Sequence, residues 1–199
     1  MFIVPSRSRP SLAVRLLAVC RGPGLLIVDD DDPCLAEYRA LAMPKGWALV
    51  IVQRRGLAAL YNNAFQARPE ADWYGFLSDD VVPLTPGWER ALIETAGLDG
   101  MAVPAGGGTT GGCPHFVLGG NLVRSMGWLA LPGLDRLYID TAWAEIAKAR
   151  GVYRDRQDIL LEHRHFSNGK ALFDATYRKR NKAKDKEIFT NWKHQEGYP

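Results

Sequence analysis

Trp73-Tyr74-Gly75-Phe76-Leu77-Ser78-Asp79-Asp80-Val81-Val82-Pro83 carries an apolar run straight into a pair of adjacent carboxylates. A short apolar run that ends so abruptly reads as a strand buried on both faces, the kind found in parallel sheets covered by helices. The same pattern recurs upstream. Residues 2–4 run into Pro5-Ser6-Arg7, 25–28 into Asp29-Asp30-Asp31-Asp32-Pro33, and 48–52 into Gln53-Arg54-Arg55. Helical spacing fills the intervals. Ser8 is placed to cap a helix that begins at Arg9-Pro10 and buries Leu12, Ala13, Leu16, Leu17 and Cys20; further helices are expected over 35–43, from Gly56 to 67, and from Thr85-Pro86 to 96. This alternation predicts an α/β fold, a mostly parallel sheet flanked by helices, with ligands gathering at the carboxyl ends of the strands. Four strand ends that finish in polar or charged residues read as a binding rim.

The second half is less regular. Strands are expected over 100–104, 115–118 and 158–162, and helices over 121–128 and 141–150, the latter closed by Gly151. Gly106, Gly108 and Gly111 match a dinucleotide-binding glycine pattern, but Cys113-Pro114-His115 leads into an extended run where that mechanism needs a helix. A mobile loop over a pocket is the expectation there.

The chain has 199 residues and a net charge of +3, with 47% apolar and 24% charged residues. Those values exclude a disordered, collagenous or coiled-coil chain and suit a single domain with its own core. Three scattered cysteines, Cys20, Cys34 and Cys113, lack both disulfide arithmetic and metal-site spacing, which fits reduced thiols in a cytoplasm. Leu17-Ala18-Val19-Cys20 has the look of a lipoprotein cleavage site, but Arg15 and the polar stretch 5–10 break the apolar segment that export would need. No run approaches the roughly eighteen apolar residues of a membrane span. The charge is uneven: residues 177–199 hold seven Lys or Arg against three acids, leaving residues 1–176 with a net of −1. The expected organisation is a domain over 1–176 and a basic C-terminal tail over 177–199, suited to an anionic partner.

Chemistry concentrates at three places. Asp79 and Asp80 at a strand end can hold a hard divalent cation that bridges a diphosphate. His163 and His165, alternating along a strand, would share one face and could add imidazole ligands, a mixed set suited to Mn²⁺ or a similar ion. Asp140, just before a helix, is either an N-cap or a general base beside a pocket.

Together these residues resemble a family-2-like glycosyltransferase of the GT-A fold over residues 2–165. Val4-Pro5-Ser6-Arg7-Ser8-Arg9-Pro10 is similar to that family's first turn at the nucleotide. Asp29 matches the acid that contacts the nucleoside, and Asn62 is the one residue kept from the family's Ala-Arg-Asn-x-Gly pattern. Ser78-Asp79-Asp80 falls on the Asp-x-Asp metal motif, Gly119-Gly120-Asn121 on an acceptor-side segment, Ile139-Asp140 on the Glu-Asp catalytic pair, and His163 or His165 on the late metal histidine. The resemblance implies a metal-dependent inverting transferase. Mn²⁺ or Mg²⁺ would sit on Asp80 and a histidine, and Asp140 would be the base. Pro5, Ser6, Arg7, Arg9, Asp29, Asn62 and Asp79 would hold a nucleoside-diphosphate sugar. Ser78 and Ile139 depart from the pattern, each removing an acid, and no Gln-x-x-Arg-Trp motif of a processive synthase is present. The alternatives are a catalytically degenerate nucleotide-binding module and a metal-dependent nucleotidyltransferase. For the acceptor, cations over 178–186 with Tyr177, Phe189 and Trp192 suit a hydroxylated base in DNA, the aromatics stacking on bases, with a lipid-linked acceptor, a protein acceptor and a plain solvated tail as the alternatives.

Overall fold

The computed structural model describes residues 1–106, 113–174 and 182–198. Eight strands form one sheet in the order β3-β2-β1-β4-β7-β6-β8-β5. In chain order the elements are β1 (Phe2–Ser6), α1 (Pro10–Leu17), β2 (Gly24–Asp29), α2 (Leu35–Arg39), β3 (Trp47–Val52), α3 (Leu57–Ala67), β4 (Trp73–Phe76), β5 (Val81–Pro83) and α4 (Trp88–Ala96). They continue with β6 (Met101–Ala105), β7 (Phe116–Gly119), α5 (Gly120–Met126), α6 (Ile139–Ala149), β8 (Tyr153–His163) and α7 (Lys182–Glu196).

Strands β1 to β4 are mutually parallel, as the alternation predicts. Strand β7 runs antiparallel between β4 and β6, and β5 pairs antiparallel with β8. From β1 the chain steps outward through β2 and β3, then returns to place β4 on β1's other side. Loops leaving β1 and β4 therefore diverge, and that reversal opens a crevice at the carboxyl ends of the strands.

Period-2 alternation along the strands builds two cores. Ile3 and Ile27 pack beneath α3, α5, α6 and α7, whereas Phe2, Val4, Leu26 and Val28 pack beneath α1, α2 and α4. Trp143 on α6 has no exposed surface, and its indole N–H donates to the Leu129 carbonyl at 2.7 Å.

Several boundaries differ from the sequence expectation. Ser8 does not cap α1; it takes a left-handed φ of 56°, and Arg9 occupies the cap position ahead of Pro10. Helix α2 stops at Arg39, and α4 begins at Trp88 after the left-handed Gly87. Strand β8 starts earlier, at Tyr153, with an irregularity where Pro104 pairs with Arg156 but Ala105 pairs with Leu160. Of the glycine-rich loop, 107–112 lie outside the described residues.

The basic segment differs most. Residues 182–196 form a helix whose Phe189 and Trp192 belong to the core beneath the sheet. Burying each such ring is worth about 1.5–3 kcal/mol, enough to hold the helix on the body despite its charge. Two of the three aromatics expected to stack on bases are thus interior; Tyr177 lies outside the described residues.

Candidate active site

The turn after β1 is fixed before any ligand arrives. Ser6 Oγ shares a hydrogen bond with Tyr38 Oη at 2.6 Å and donates to Asp79 Oδ2 at 2.6 Å. Asp32 Oδ2 accepts the Ser8 amide at 2.8 Å, holding the left-handed residue in place, and Arg9 N–H donates to Tyr38 Oη at 2.9 Å. Arg7 reaches across to Asp29 at 3.0 Å and Asp31 at 2.5 Å, at the end of β2. Burial raises the Asp29 carboxyl above its ordinary range, with the Arg7 guanidinium opposing the rise.

Across the strand reversal lies the acid pair. Arg9 Nη1 stands 3.3 Å from both Asp79 Oδ1 and Asp80 Oδ2, and its other nitrogens bind Asp174. Burial pushes the Asp79 carboxyl up to about 6, against the pull of Ser6 and Arg9. Burial raises Asp80 too, but hydrogen bonding and charge from His163, with Ser78 and Arg9, outweigh it and hold this acid well below the usual range. The two neighbours are driven apart: one carboxylate ionises readily, the other reluctantly.

His163 comes to Asp80 through the β5–β8 ladder. Val81 pairs with His163, the Arg164 amide donates to the Asp80 carbonyl at 3.0 Å, and His163 Nε2 ends 3.1 Å from Asp80 Oδ1. His165 lies beyond the strand, caps a 3-10 turn (Phe166–Asn168) and bonds Ser167 Oγ at 2.7 Å. Both histidines line the cavity, but His163 is the one that meets Asp80. Behind it, His115 is fully buried at 4.8 Å ring to ring, and burial lowers its basicity to a pKa of about 3.

A carboxylate oxygen and an imidazole nitrogen make a mixed donor pair that suits Mn²⁺ better than the oxygen-seeking Mg²⁺, and so few protein ligands would leave positions for substrate phosphates. Among the described residues no group of three or more His, Cys, Asp and Glu is arranged to hold a metal ion. Asp80 and His163 are the two such side chains that meet at this point of the cavity, 3.1 Å apart.

The opposite wall is the entry to α6. Asp135, Arg136, Leu137, Tyr138 and Asp140 line the same cavity of about 730 Å³ as Pro5, Ser6, Arg7, Arg9, Asp29, Asp79 and Asp80. Asp140 is the second residue of α6, inside the helix and not ahead of it as expected; Tyr138, at φ 66°, is the cap residue. Its Oδ1 accepts the Thr141 amide at 2.9 Å, and burial raises its pKa against that hydrogen bond.

Two expected groups sit elsewhere. Asn62 turns away from the cavity: Oδ1 accepts the Leu129 and Ala130 amides at 2.8 and 2.9 Å, and Nδ2 donates to the Ala130 carbonyl at 2.8 Å. It clamps α3 to the turn before α6. Asn62→Ala should therefore cost about 1–3 kcal/mol of stability, seen as a lower urea midpoint, with nucleotide affinity unchanged. Gly119, Gly120 and Asn121 lie at the far end of the sheet, because antiparallel β7 places Gly119 opposite Trp73 at the start of β4. These glycines answer a packing need: a Cβ on Gly119 would stand 2.2 Å from the Leu98 backbone, and on Gly120 2.1 Å from the Ala71 carbonyl. Asn121 accepts from Arg124 at 2.7 Å. Three features escaped the sequence reading: the Arg9 bridge, the 135–137 wall and His115. Only Arg9 carried a signal there, as part of the first turn.

This arrangement, with its sheet order and its acids after β4, has the GT-A fold. No protein-family model matches the sequence, and no curated protein matches it. Among solved structures, the chain is similar to the mannosyltransferase PcManGT from Pyrobaculum calidifontis in complex with GDP-Man and Mn²⁺ (TM-score 0.59, 15% identity, 78% of this chain and 53% of that one). It is similar to glucosyl-3-phosphoglycerate synthase from Mycobacterium tuberculosis in complex with Mn²⁺, UDP-glucose and phosphoglyceric acid (0.62, 10%, 100% and 79%). Residues 1–349 of S. aureus TarS in complex with UDP give 0.56 and 13%, over 80% of this chain and 58% of that one. The chain thus spans about half the length of PcManGT. No helix among the described residues is long and apolar enough to cross a membrane.

Proposed function

We propose that this chain is a metal-dependent glycosyltransferase that moves a sugar from a nucleoside diphosphate to an acceptor hydroxyl with inversion. One observation carries the reading: a single cavity holds Asp79, Asp80 and His163 on one wall and Asp140 on the other. The nucleoside end would lie over Pro5, Arg7 and Asp29, and the diphosphate beside Arg9, whose guanidinium can turn from the carboxylates to phosphate oxygens. Ser6 holds Asp79 in place. Mn²⁺ or Mg²⁺, bound by Asp80 and His163, would supply positive charge to the leaving diphosphate. Asp140 keeps Oδ2 free of the Thr141 amide, and a raised pKa makes it the better proton acceptor for an attacking hydroxyl.

A panel of nucleoside diphosphates and their sugar conjugates, each with and without Mn²⁺, tests this by thermal shift. At 100 times its dissociation constant the right ligand should add about 2.7 kcal/mol, visible as a clear rise in melting temperature. A response to a diphosphate and its conjugate that needs Mn²⁺ supports the transferase. A response to nucleoside triphosphates alone supports a nucleotidyltransferase, and binding with no sugar transfer supports a degenerate module. For the acceptor, Lys182, Lys184 and Lys186 are exposed near the cavity wall, since Asp185 between them bonds residues 135–137. They favour a polyanion, with hydroxylated DNA the reading to test; its mark is affinity that falls steeply with salt.

A further inference from the structure

We infer that Asp185 is a positioning residue that holds the wall of the cavity from which Asp140 projects; the inference rests on the transferase reading above. Asp185 belongs to the most basic stretch of the chain, where an acid would be expected to sit in solvent among lysines. Instead it is fully buried. Its Oδ1 accepts the Asp135 amide at 2.8 Å, and its Oδ2 accepts the amides of Arg136 at 3.0 Å and Leu137 at 2.8 Å. Three consecutive backbone N–H groups converge on one carboxylate, and such charge-assisted bonds are both short and strong.

The segment so held has no regular structure of its own and would otherwise carry unpaired donors. It is braced twice more. Phe189, one helical turn beyond Asp185 on α7, stacks on Tyr138 at 4.9 Å with ring planes 13° apart. The Ala58 amide at the start of α3 donates to the Asp135 carbonyl at 3.1 Å. Tyr138 itself is left-handed at φ 66°, a conformation that a bulky residue keeps only when its surroundings enforce it. Helix α6 begins at the next residue, so the direction in which it leaves the loop, and with it the place of Asp140, follows from where these amides are pinned.

Asp185→Asn tests the role without changing side-chain size. The amide keeps one acceptor oxygen and turns the other into a donor facing donors, so one or two of the three bonds are lost. Three readouts are taken on the full chain: hydrogen exchange at the amides of 135–137, affinity for the nucleoside diphosphate selected by the thermal panel, and the kcat of sugar transfer. Exchange at these amides should speed up about tenfold or more, while the amides of β1 and β2 exchange at the wild-type rate. Diphosphate affinity should not change, and kcat should fall about 10²-fold, the scale of a catalytic group displaced by about an ångström. Wild-type exchange at 135–137 would overturn the inference. So would full kcat with a loosened loop, or a loss of kcat accompanied by equal loosening of β1 and β2. A wild-type chain that transfers no sugar would remove the transferase reading itself, and the positioning role with it; the wild-type control therefore separates that failure from a failure at Asp185.

Discussion

Asp140→Asn is expected to lower kcat for sugar transfer about 10²- to 10⁴-fold while donor affinity stays at the wild-type value. The substitution preserves the Oδ1 that accepts the Thr141 amide, so the entry to α6 keeps its geometry. What is lost is a group able to take a proton. Because burial raises the pKa of Asp140, the wild-type rate should climb with pH along an acid limb lying above the ordinary carboxylate range, and the asparagine variant should lack that limb. The stability sign runs the other way. A carboxyl harder to ionise in the folded protein than in the unfolded chain works against folding once pH passes the unfolded value. The variant should then melt at or above the wild-type temperature at neutral pH, so that lost turnover cannot be ascribed to unfolding. Turnover within a few-fold of wild type would remove Asp140 from the base role.

Asp80→Ala should abolish the metal-dependent part of diphosphate binding. Asp80 is the acid held ionised and it faces His163 at 3.1 Å, so its removal would leave the proposed centre without its carboxylate. A melting rise worth about 2.7 kcal/mol with Mn²⁺ and saturating diphosphate should fall to the value seen without metal. Titration with Mn²⁺ followed by electron paramagnetic resonance reads the same loss independently of turnover. Ser78→Ala, which removes the hydroxyl that donates to Asp80 but keeps its carboxylate, should weaken the Mn²⁺ dependence without abolishing it. Equal Mn²⁺ dependence in wild type and Asp80→Ala would refute the assignment.

The half of the fold that is parallel was legible because buried strands and their polar ends leave a mark in the chain. Residues 73–80 show this best: the apolar run, the stop and the acids are all local. Strand direction is not local. Nothing in Phe116-Val117-Leu118-Gly119 says that it runs against β4, and that reversal alone carries Gly119, Gly120 and Asn121 away from the cavity. Asn62 has the right residue type for a ligand contact, but its partners are backbone groups near residue 130, which no pattern around Asn62 reveals. The choice between His163 and His165 turned on where β8 ends, a boundary that spacing leaves open by a residue or two. In the basic segment the charges hid the core. Phe189 and Trp192 are three residues apart, on one side of a helix whose other sides are lysine-rich, and mean charge outweighs two buried rings in any compositional reading.

The ladder between β5 and β8 has a consequence for how the protein comes into being. Strands β1 to β4 are assembled from near neighbours in the chain and can condense early, whereas β5 stays without its partner until the far end of β8 has been made. Closing a loop of that size costs chain entropy before any contact repays it, so the pairing of Val81 with His163 belongs to the late, slow part of folding. Asp80 and His163 meet in that same step. A nascent chain would therefore shape the crevice at the ends of β1 and β2 before Asp80 meets His163, and the wall that Asp185 pins would be fixed later still, with α7.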